Sequence, residues 1–222
     1  NPTLRMIYLM NSDGTNQRRL TANSLDWCSE HTPRFSPDGQ WIVFTMSCDN
    51  VAPGGISRLY RVRVDGSGQQ ALAPSHPELA AGGNQVSPAF DETGTRVLFV
   101  GEMAQASSSF ELWSLELAGG ATRRLTRCAD AGRSVVVRNR VSLAAGFAYF
   151  VSDDALGQGL AAFERVASDG SQVQERRFEI PAVTGHESLQ GVASLFELSL
   201  AASADRVVAV KRMRHELLAL PE

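Results

Sequence analysis

The side chains best suited to metal or covalent chemistry in these 222 residues are three cysteines and four histidines, and their spacing favours neither. His31, His76, His186 and His215 form no His-x-x-x-His pair, and Cys28, Cys48 and Cys128 form no Cys-x-x-Cys, the spacings that bring two ligands to one zinc ion. Asn11-Ser12-Asp13-Gly14-Thr15-Asn16 alternates oxygen-bearing side chains before a glycine, as half of a calcium loop does. No bidentate Glu follows at the required distance, so a hairpin turn is expected there instead. Gly185-His186-Glu187-Ser188 lacks the second glycine of a nucleophile elbow. The chain therefore reads as non-enzymatic, with no catalytic, metal-binding or cofactor-binding set.

Recognition chemistry remains. Asp26-Trp27-Cys28-Ser29-Glu30-His31 places an indole among carboxylates and an imidazole, and His186-Glu187 repeats the acid–imidazole pair later in the chain. Asp26, Trp27, Glu30, His31, His186 and Glu187 are the candidate partner-binding residues, since aromatic anchors with charged neighbours suit a protein contact. Trp27 has a second reading, as a plug between two packed sheets. Hydrophobic residues make up 43% of the chain and charged residues 20%, with a net charge of -3. This is a folding composition that gives nucleic acid no electrostatic footing. No apolar run reaches the roughly 18 residues of a spanning helix, so no membrane insertion is expected. The sequence opens on Asn1 without a signal-peptide pattern, read as a removed leader or as a piece of something longer.

The elements that position these residues repeat. Phe35-Ser36-Pro37-Asp38-Gly39 leads into Trp41-Ile42-Val43-Phe44, and Phe90-Asp91-Glu92-Thr93-Gly94 leads into Val97-Leu98-Phe99-Val100, with Gly39 and Gly94 55 residues apart. Weaker copies begin at Leu143 and Leu200. A second element keeps the same period: Ile7-Tyr8-Leu9-Met10, Leu59-Tyr60-Arg61-Val62 and Leu112-Trp113-Ser114-Leu115 each run into a glycine turn, and Arg18-Arg19-Leu20-Thr21 returns as Arg123-Arg124-Leu125-Thr126. Proline fixes φ, aspartate caps its own backbone, and glycine takes the left-handed position that closes each hairpin. Units of about 50 residues with four short strands, A to D, are the sequence form of a propeller blade.

The string Pro33-Arg34-Phe35-Ser36-Pro37-Asp38-Gly39-Gln40-Trp41-Ile42-Val43-Phe44, with the upstream Asp13-Gly14 turn and Arg18-Arg19-Leu20-Thr21, resembles the repeat of TolB-like β-propellers. The same repeat builds the propellers of prolyl-oligopeptidase-type peptidases. The resemblance implies an all-β fold of four-stranded antiparallel blades. One domain over 1–222 is expected, with blades near 1–21 (partial), 31–73, 85–126, 136–178 and 193–222 (partial). About four blades are present, starting and ending in strand C. A segment of a six- to eight-bladed ring is preferred, with a closed four-bladed ring as the alternative. The resemblance further implies a binding or scaffolding propeller of the bacterial envelope, periplasmic or at the cell surface, with a protein or peptide partner. The competing reading is the gating propeller of a serine peptidase whose catalytic domain lies outside this chain. The blade after Val135 loses its turn chemistry and is expected to have short or missing outer strands.

If the Ser-Pro-Asp-Gly turn sets Phe35 opposite Trp41, counting outward brings Cys28 opposite Cys48. Opposed strand positions stand about 4.5–5.5 Å apart, within the roughly 4.4–6.8 Å that a disulfide spans. The expected bridge closes a loop worth about 3 kcal/mol on the chain-entropy account, forms in an oxidising compartment, and leaves Cys128 as a lone thiol. Thiol titration of the unfolded protein should find one reactive cysteine before reduction and three after; three before reduction would exclude the bridge.

Overall fold

A computed structural model of the protein describes residues 4–21, 27–49, 55–105, 109–135, 141–154 and 162–171, and the strands 178–179, 199–202, 207–212 and 217–218. Strands β1 (Tyr8–Leu9) and β2 (Arg18–Arg19) form a two-stranded sheet. A four-stranded sheet follows, of β3 (Cys28–Phe35), β4 (Trp41–Cys48), β5 (Ile56–Arg63) and β6 (Gln70–Ala71) in sequential order. The next is β7 (Gln85–Phe90), β8 (Arg96–Glu102), β9 (Phe110–Glu116) and β10 (Thr122–Arg124). Then come β11 (Arg133–Val135), β12 (Ser142–Ala144), β13 (Phe147–Asp154), β14 (Ala162–Ala167) and β15 (Phe178–Glu179) in one sheet. A three-stranded sheet of β16 (Ser199–Ala202), β17 (Val207–Arg212) and β18 (Leu217–Leu218) ends the series. The four anticipated A–B hairpins lie in four separate antiparallel sheets. This is a partial β-propeller.

Local chemistry closes the hairpins. Asp38 accepts from the Ser36 hydroxyl and, at 3.0 Å, from the Gln40 amide, while Gly39 adopts φ 68°. Ser36 Oγ accepts the Trp41 amide at 2.9 Å; one blade later Asp91 Oδ1 accepts the Arg96 amide at 3.0 Å, a carboxylate replacing a hydroxyl in the same role.

The register corrects one step of the sequence reading. Phe35 faces Ile42, not Trp41, and Arg34 faces Val43. A β-bulge between His31 and Arg34, with Thr32 at φ 51°, absorbs one residue and returns His31 to Thr45 and Cys28 to Cys48. The two offsets cancel. The cysteines are joined, with S–S 2.04 Å and Cα atoms 4.1 Å apart, closer than expected for open strand partners. The same bulge recurs in the next blade between Val86 and Ala89, with Ser87 at φ 54°. Proline follows each left-handed residue, as Pro33 and Pro88, where the ladder is interrupted and asks for no N–H.

Irregularity in the third complete blade takes a different form from the one expected. Its outer strand β15 has 2 residues, but β6 has 2 and β10 has 3, so short outer strands are common to all. The break is in the inner strand: β11 pairs with the second half of β13 and β12 with the first half. The one-residue bulge of its neighbours has grown into an insertion that splits strand A in two.

Among the described residues, three apolar clusters each join successive sheets. Ile7 and Leu20 meet Cys28, Ile42, Phe44, Met46 and Val62. Val43, Leu59 and Leu72 meet Phe90, Val97, Phe99, Trp113 and Leu115. Leu98, Val100, Leu112 and Leu125 meet Val135, Ala148, Phe150 and Val166. Neighbouring residues of a strand point to opposite faces, so β4 sends Ile42 and Phe44 backward and Val43 forward. Strand B is buried on both faces, which is why it reads as a continuous apolar run. Phe99→Ala, emptying a fully buried seam position, should cost about 3–5 kcal/mol by urea unfolding, whereas the exposed Gln40→Ala should stay within about 0.5 kcal/mol. Equal midpoints for the two variants would contradict the two-faced packing.

Candidate binding face

The sheets have two unlike ends. One carries the tight A–B and C–D turns; the other carries the D–A and B–C connections, and the Trp27 segment lies there. A hydrogen bond that recurs at three successive blade junctions organises this loop end. Ser29 Oγ accepts the Arg5 amide at 3.4 Å, Asn84 Oδ1 the Ser57 amide at 3.0 Å, and Ser134 Oγ the Phe110 amide at 3.0 Å. Each acceptor lies at or just before the start of an inner strand, and each donor near the start of strand C of the preceding sheet. Ser, Asn and Ser give no motif that a sequence would betray, yet all three do one job.

Two buried carboxylates reinforce this end, Glu30 across a junction and Glu111 between its own sheet and the connection that leaves it. Glu30 Oε2 accepts the Ile7 amide at 2.9 Å and the Thr21 hydroxyl. Glu111 accepts the Thr126 hydroxyl and, at 2.7 Å, the Ala129 amide. The two threonines end the two copies of the Arg-Arg-Leu-Thr repeat, but their carboxylate partners come from different strands. Glu30 was expected to face a partner; it is instead buried, tying the first sheet to the second. His31 lies within β3 opposite Thr45. Its Nδ1 stands 3.3 Å from Arg5 Nη1, and partial burial followed by the Arg5 charge lowers its pKa below the ordinary 6.5.

Trp27 is 44% exposed and stands outside the three apolar clusters. Its carbonyl accepts the Asp49 amide at 3.2 Å, and the neighbouring Cys28–Cys48 bridge fixes the roots of the D–A and B–C connections. Counting from the shared junction positions Ser29, Asn84 and Ser134, the residues equivalent to Trp27 are Gly82 and Gly132. Asp26, His186 and Glu187 lie outside the described residues. On the same end, Arg124 bonds Glu111 at 2.9 Å, Asp130 at 3.0 Å and Glu78 at 3.1 Å, bridging the connections before β7 and β11. His76 packs its ring 5.1 Å from that of Trp113. In the sequence Arg124 is only one letter of a repeat; its role depends on three carboxylates brought together by folding.

The turn end offers a groove of about 370 Å³ between the second and third complete blades, lined by Asp91, Arg96, Phe147, Ser168 and Asp169. Its polar groups are engaged: Arg96 with Asp91 at 3.6 Å, Asp169 with the Ser171 amide at 2.8 Å, and Glu92 with the Gly146 amide at 3.1 Å. Asp13, the calcium-like candidate, accepts the Thr15 amide and hydroxyl at 2.9 and 2.7 Å, which lowers its pKa and closes a turn. Among the described residues no group of three His, Cys, Asp or Glu is placed to hold a metal ion, and no helix is long and apolar enough to cross a membrane.

No protein-family profile and no curated protein sequence matches the chain. Solved structures do. A putative TolB from Agrobacterium tumefaciens superposes with a TM-score of 0.55 at 20% identity, over 79% of this chain and 57% of that one. TolB from Acinetobacter baumannii gives 0.60 at 15% identity, over 96% and 44%. A puromycin-hydrolyzing peptidase from Mycobacterium tuberculosis gives 0.58 at 14%, over 93% and 32%. The likeness is one of fold, and the chain spans about half the length of the TolB structures it matches.

Because the folded His31 takes up its proton less readily than the unfolded one, the unfolded state binds more protons just below pH 6.5, so this residue removes stability as pH falls through that range. Arg5→Gln should move the His31 imidazole titration upward by NMR; an unchanged midpoint would remove Arg5 as a cause.

Proposed function

We propose that the protein is a non-catalytic binding or scaffolding propeller of the bacterial envelope, presenting the loop end of its sheets to a protein or peptide partner. Trp27 carries the proposal: a large aromatic, exposed, held by a disulfide at the root of two connections, and standing where the equivalent residues of the next two blades are glycines. A residue serving only the blade repeat would have an apolar counterpart in each blade. Indole anchors on rigid supports are what concentrated binding energy uses. Asp26 beside it, and His186 and Glu187 from a later connection, would flank the contact. His31 would offer a polar imidazole, and Glu30 would act from within by fixing the strand. The disulfide favours an oxidising compartment, in keeping with the envelope setting that the TolB resemblance implies.

The fold likeness to a peptidase supports a second reading, in which these blades gate a prolyl-oligopeptidase-type serine peptidase domain lying outside residues 1–222. That reading predicts amide hydrolysis by the complete protein, and the scaffold reading predicts none. A photoreactive phenylalanine analogue at position 27, in the cells that naturally make the protein, should give a discrete protein adduct, and the same group at the turn-end residue Gln40 should not. Adducts from both positions alike, or from neither, would overturn the choice of face.

A further inference from the structure

Two guanidinium groups share one indole on the first complete blade. Arg61 and Arg63 each stand 4.6 Å from the ring centroid of Trp41. The register explains the convergence. Across β4 and β5, Trp41 faces Arg63 and Val43 faces Arg61, and residues two apart on a strand point the same way. Val43 belongs to the apolar cluster shared with the second complete blade, and half-buried Trp41 packs against that cluster. The Trp41 amide donates to Ser36 Oγ at 2.9 Å. The C–D turn closes over the indole at Gly68, which has φ 63° and where an added Cβ would lie 3.6 Å from the ring. The platform under the two cations is therefore fixed.

Charge balance sets this pair apart. Among the described residues neither Arg61 nor Arg63 lies within ion-pair distance of a carboxylate, whereas Arg96, Arg124 and Arg133 each do. Asp65, in the adjoining turn, is engaged there by the Ser67 amide at 2.8 Å; its pKa is lowered chiefly by Ser67 and only to a lesser degree by the Arg63 charge. Arg61 is oriented by a neutral group: Gln70, with its amide oxygen turned inward, accepts from Nε at 2.5 Å and from Nη2 at 2.6 Å. Partial burial, then the charge of Arg63, lowers the Arg61 pKa below the ordinary guanidinium value, the direction expected where like charges meet without a counter-ion.

The blade repeat does not ask for this arrangement. The Val64, Leu117 and Ser168 amides donate to the Gln40, Thr95 and Gly146 carbonyls respectively. Trp41 is thus equivalent to Arg96 and Phe147, and Arg63 to Glu116 and Ala167. The second complete blade sets opposite charges across from one another, Arg96 facing Glu116. The third keeps one arginine, Arg165, 4.5 Å from the Phe147 ring, and has Ala167 opposite that ring. Of the three, the first alone doubles the cation.

We infer that Arg61 and Arg63 on the Trp41 platform form an oxyanion-binding site whose ligand is a small molecule bearing a phosphate or carboxylate group. Guanidinium forks match both groups in geometry and charge, and stacking on an indole holds the cations in place before the ligand arrives. Arg63 is exposed, so its donors are open to solvent. The site is one indole wide, which suits a small ligand, and it is independent of the partner proposed for the loop end.

The indole N–H resonance of Trp41, assigned with Trp41→Phe, reads the site in the intact protein. Inorganic phosphate and acetate are titrated separately at constant ionic strength against sodium chloride. At least one should shift the resonance saturably, and the one that does so identifies the ligand group. Arg61→Gln and Arg63→Gln should each raise the midpoint at least about tenfold, the scale of one lost hydrogen bond to a charged group. Arg19→Gln, which removes an equal charge elsewhere, should leave it unchanged. Because Arg63 is exposed, Arg63→Gln keeps the fold, checked by its amide spectrum. The absence of a saturable shift with either anion would overturn the site. A shift that persists in Arg63→Gln, or that chloride reproduces, would do the same.

Discussion

A four-stranded antiparallel sheet buried on both faces cannot be stable alone, and every other feature of this chain follows from how its sheets are made to lean on one another. Among the described residues no backbone ladder runs from one complete blade to the next; the sheets are separate. Association rests on side chains, with strand B supplying apolar residues to both neighbours, as Ile42 and Phe44 do on one side and Val43 on the other. Burial of this kind is strong but non-directional, so it fixes that two blades meet without fixing their alignment. The alignment comes from polar groups of fixed reach: the Ser29, Asn84 and Ser134 acceptors, and the Glu30 carboxylate set between the Ile7 amide and the Thr21 hydroxyl. A buried carboxylate left without partners would be costly, so Glu30 also disfavours a slipped arrangement of the first two sheets.

What the sequence disclosed divides along the same line. Hairpins are closed by residues within five positions of one another, and Ser36, Asp38 and Gly39 are legible because their chemistry is completed locally. Apolar strand cores are legible because burial on two faces leaves no polar alternation. The junction acceptors were not legible, since Asn84 looks like any loop asparagine until Ser57 is beside it. Glu30 was misplaced for the same reason: a carboxylate next to an exposed indole suggests solvent, and its actual partners, Ile7 and Thr21, are distant in sequence. The cysteine pairing came out correctly although the turn register was one residue off, because the bulge at Thr32 restored it. A bulge leaves little trace in a sequence, apart here from a proline following the left-handed residue in both blades.

The candidate face gains its meaning by subtraction. Tyr8 and Met10 align in register with the packed Tyr60 and Val62, Phe35 with the buried Phe90, and Arg124 bridges two connections. Among the described exposed large apolar residues, Trp27 alone lacks an apolar counterpart in the next two blades. That makes the seam assignments the foundation of the functional reading, since an error in them would return Trp27 to the packing.

The most direct test of the account is therefore whether the seams exist in solution as assigned. Nuclear Overhauser contacts from the Trp113 indole should reach the methyl protons of Val43 and Leu59 in the preceding blade, with no such contacts from Trp27 to the methyl groups of Ile42 or Val62. An indole of Trp113 in contact only with its own blade, or a Trp27 ring found among the seam methyls, would contradict it.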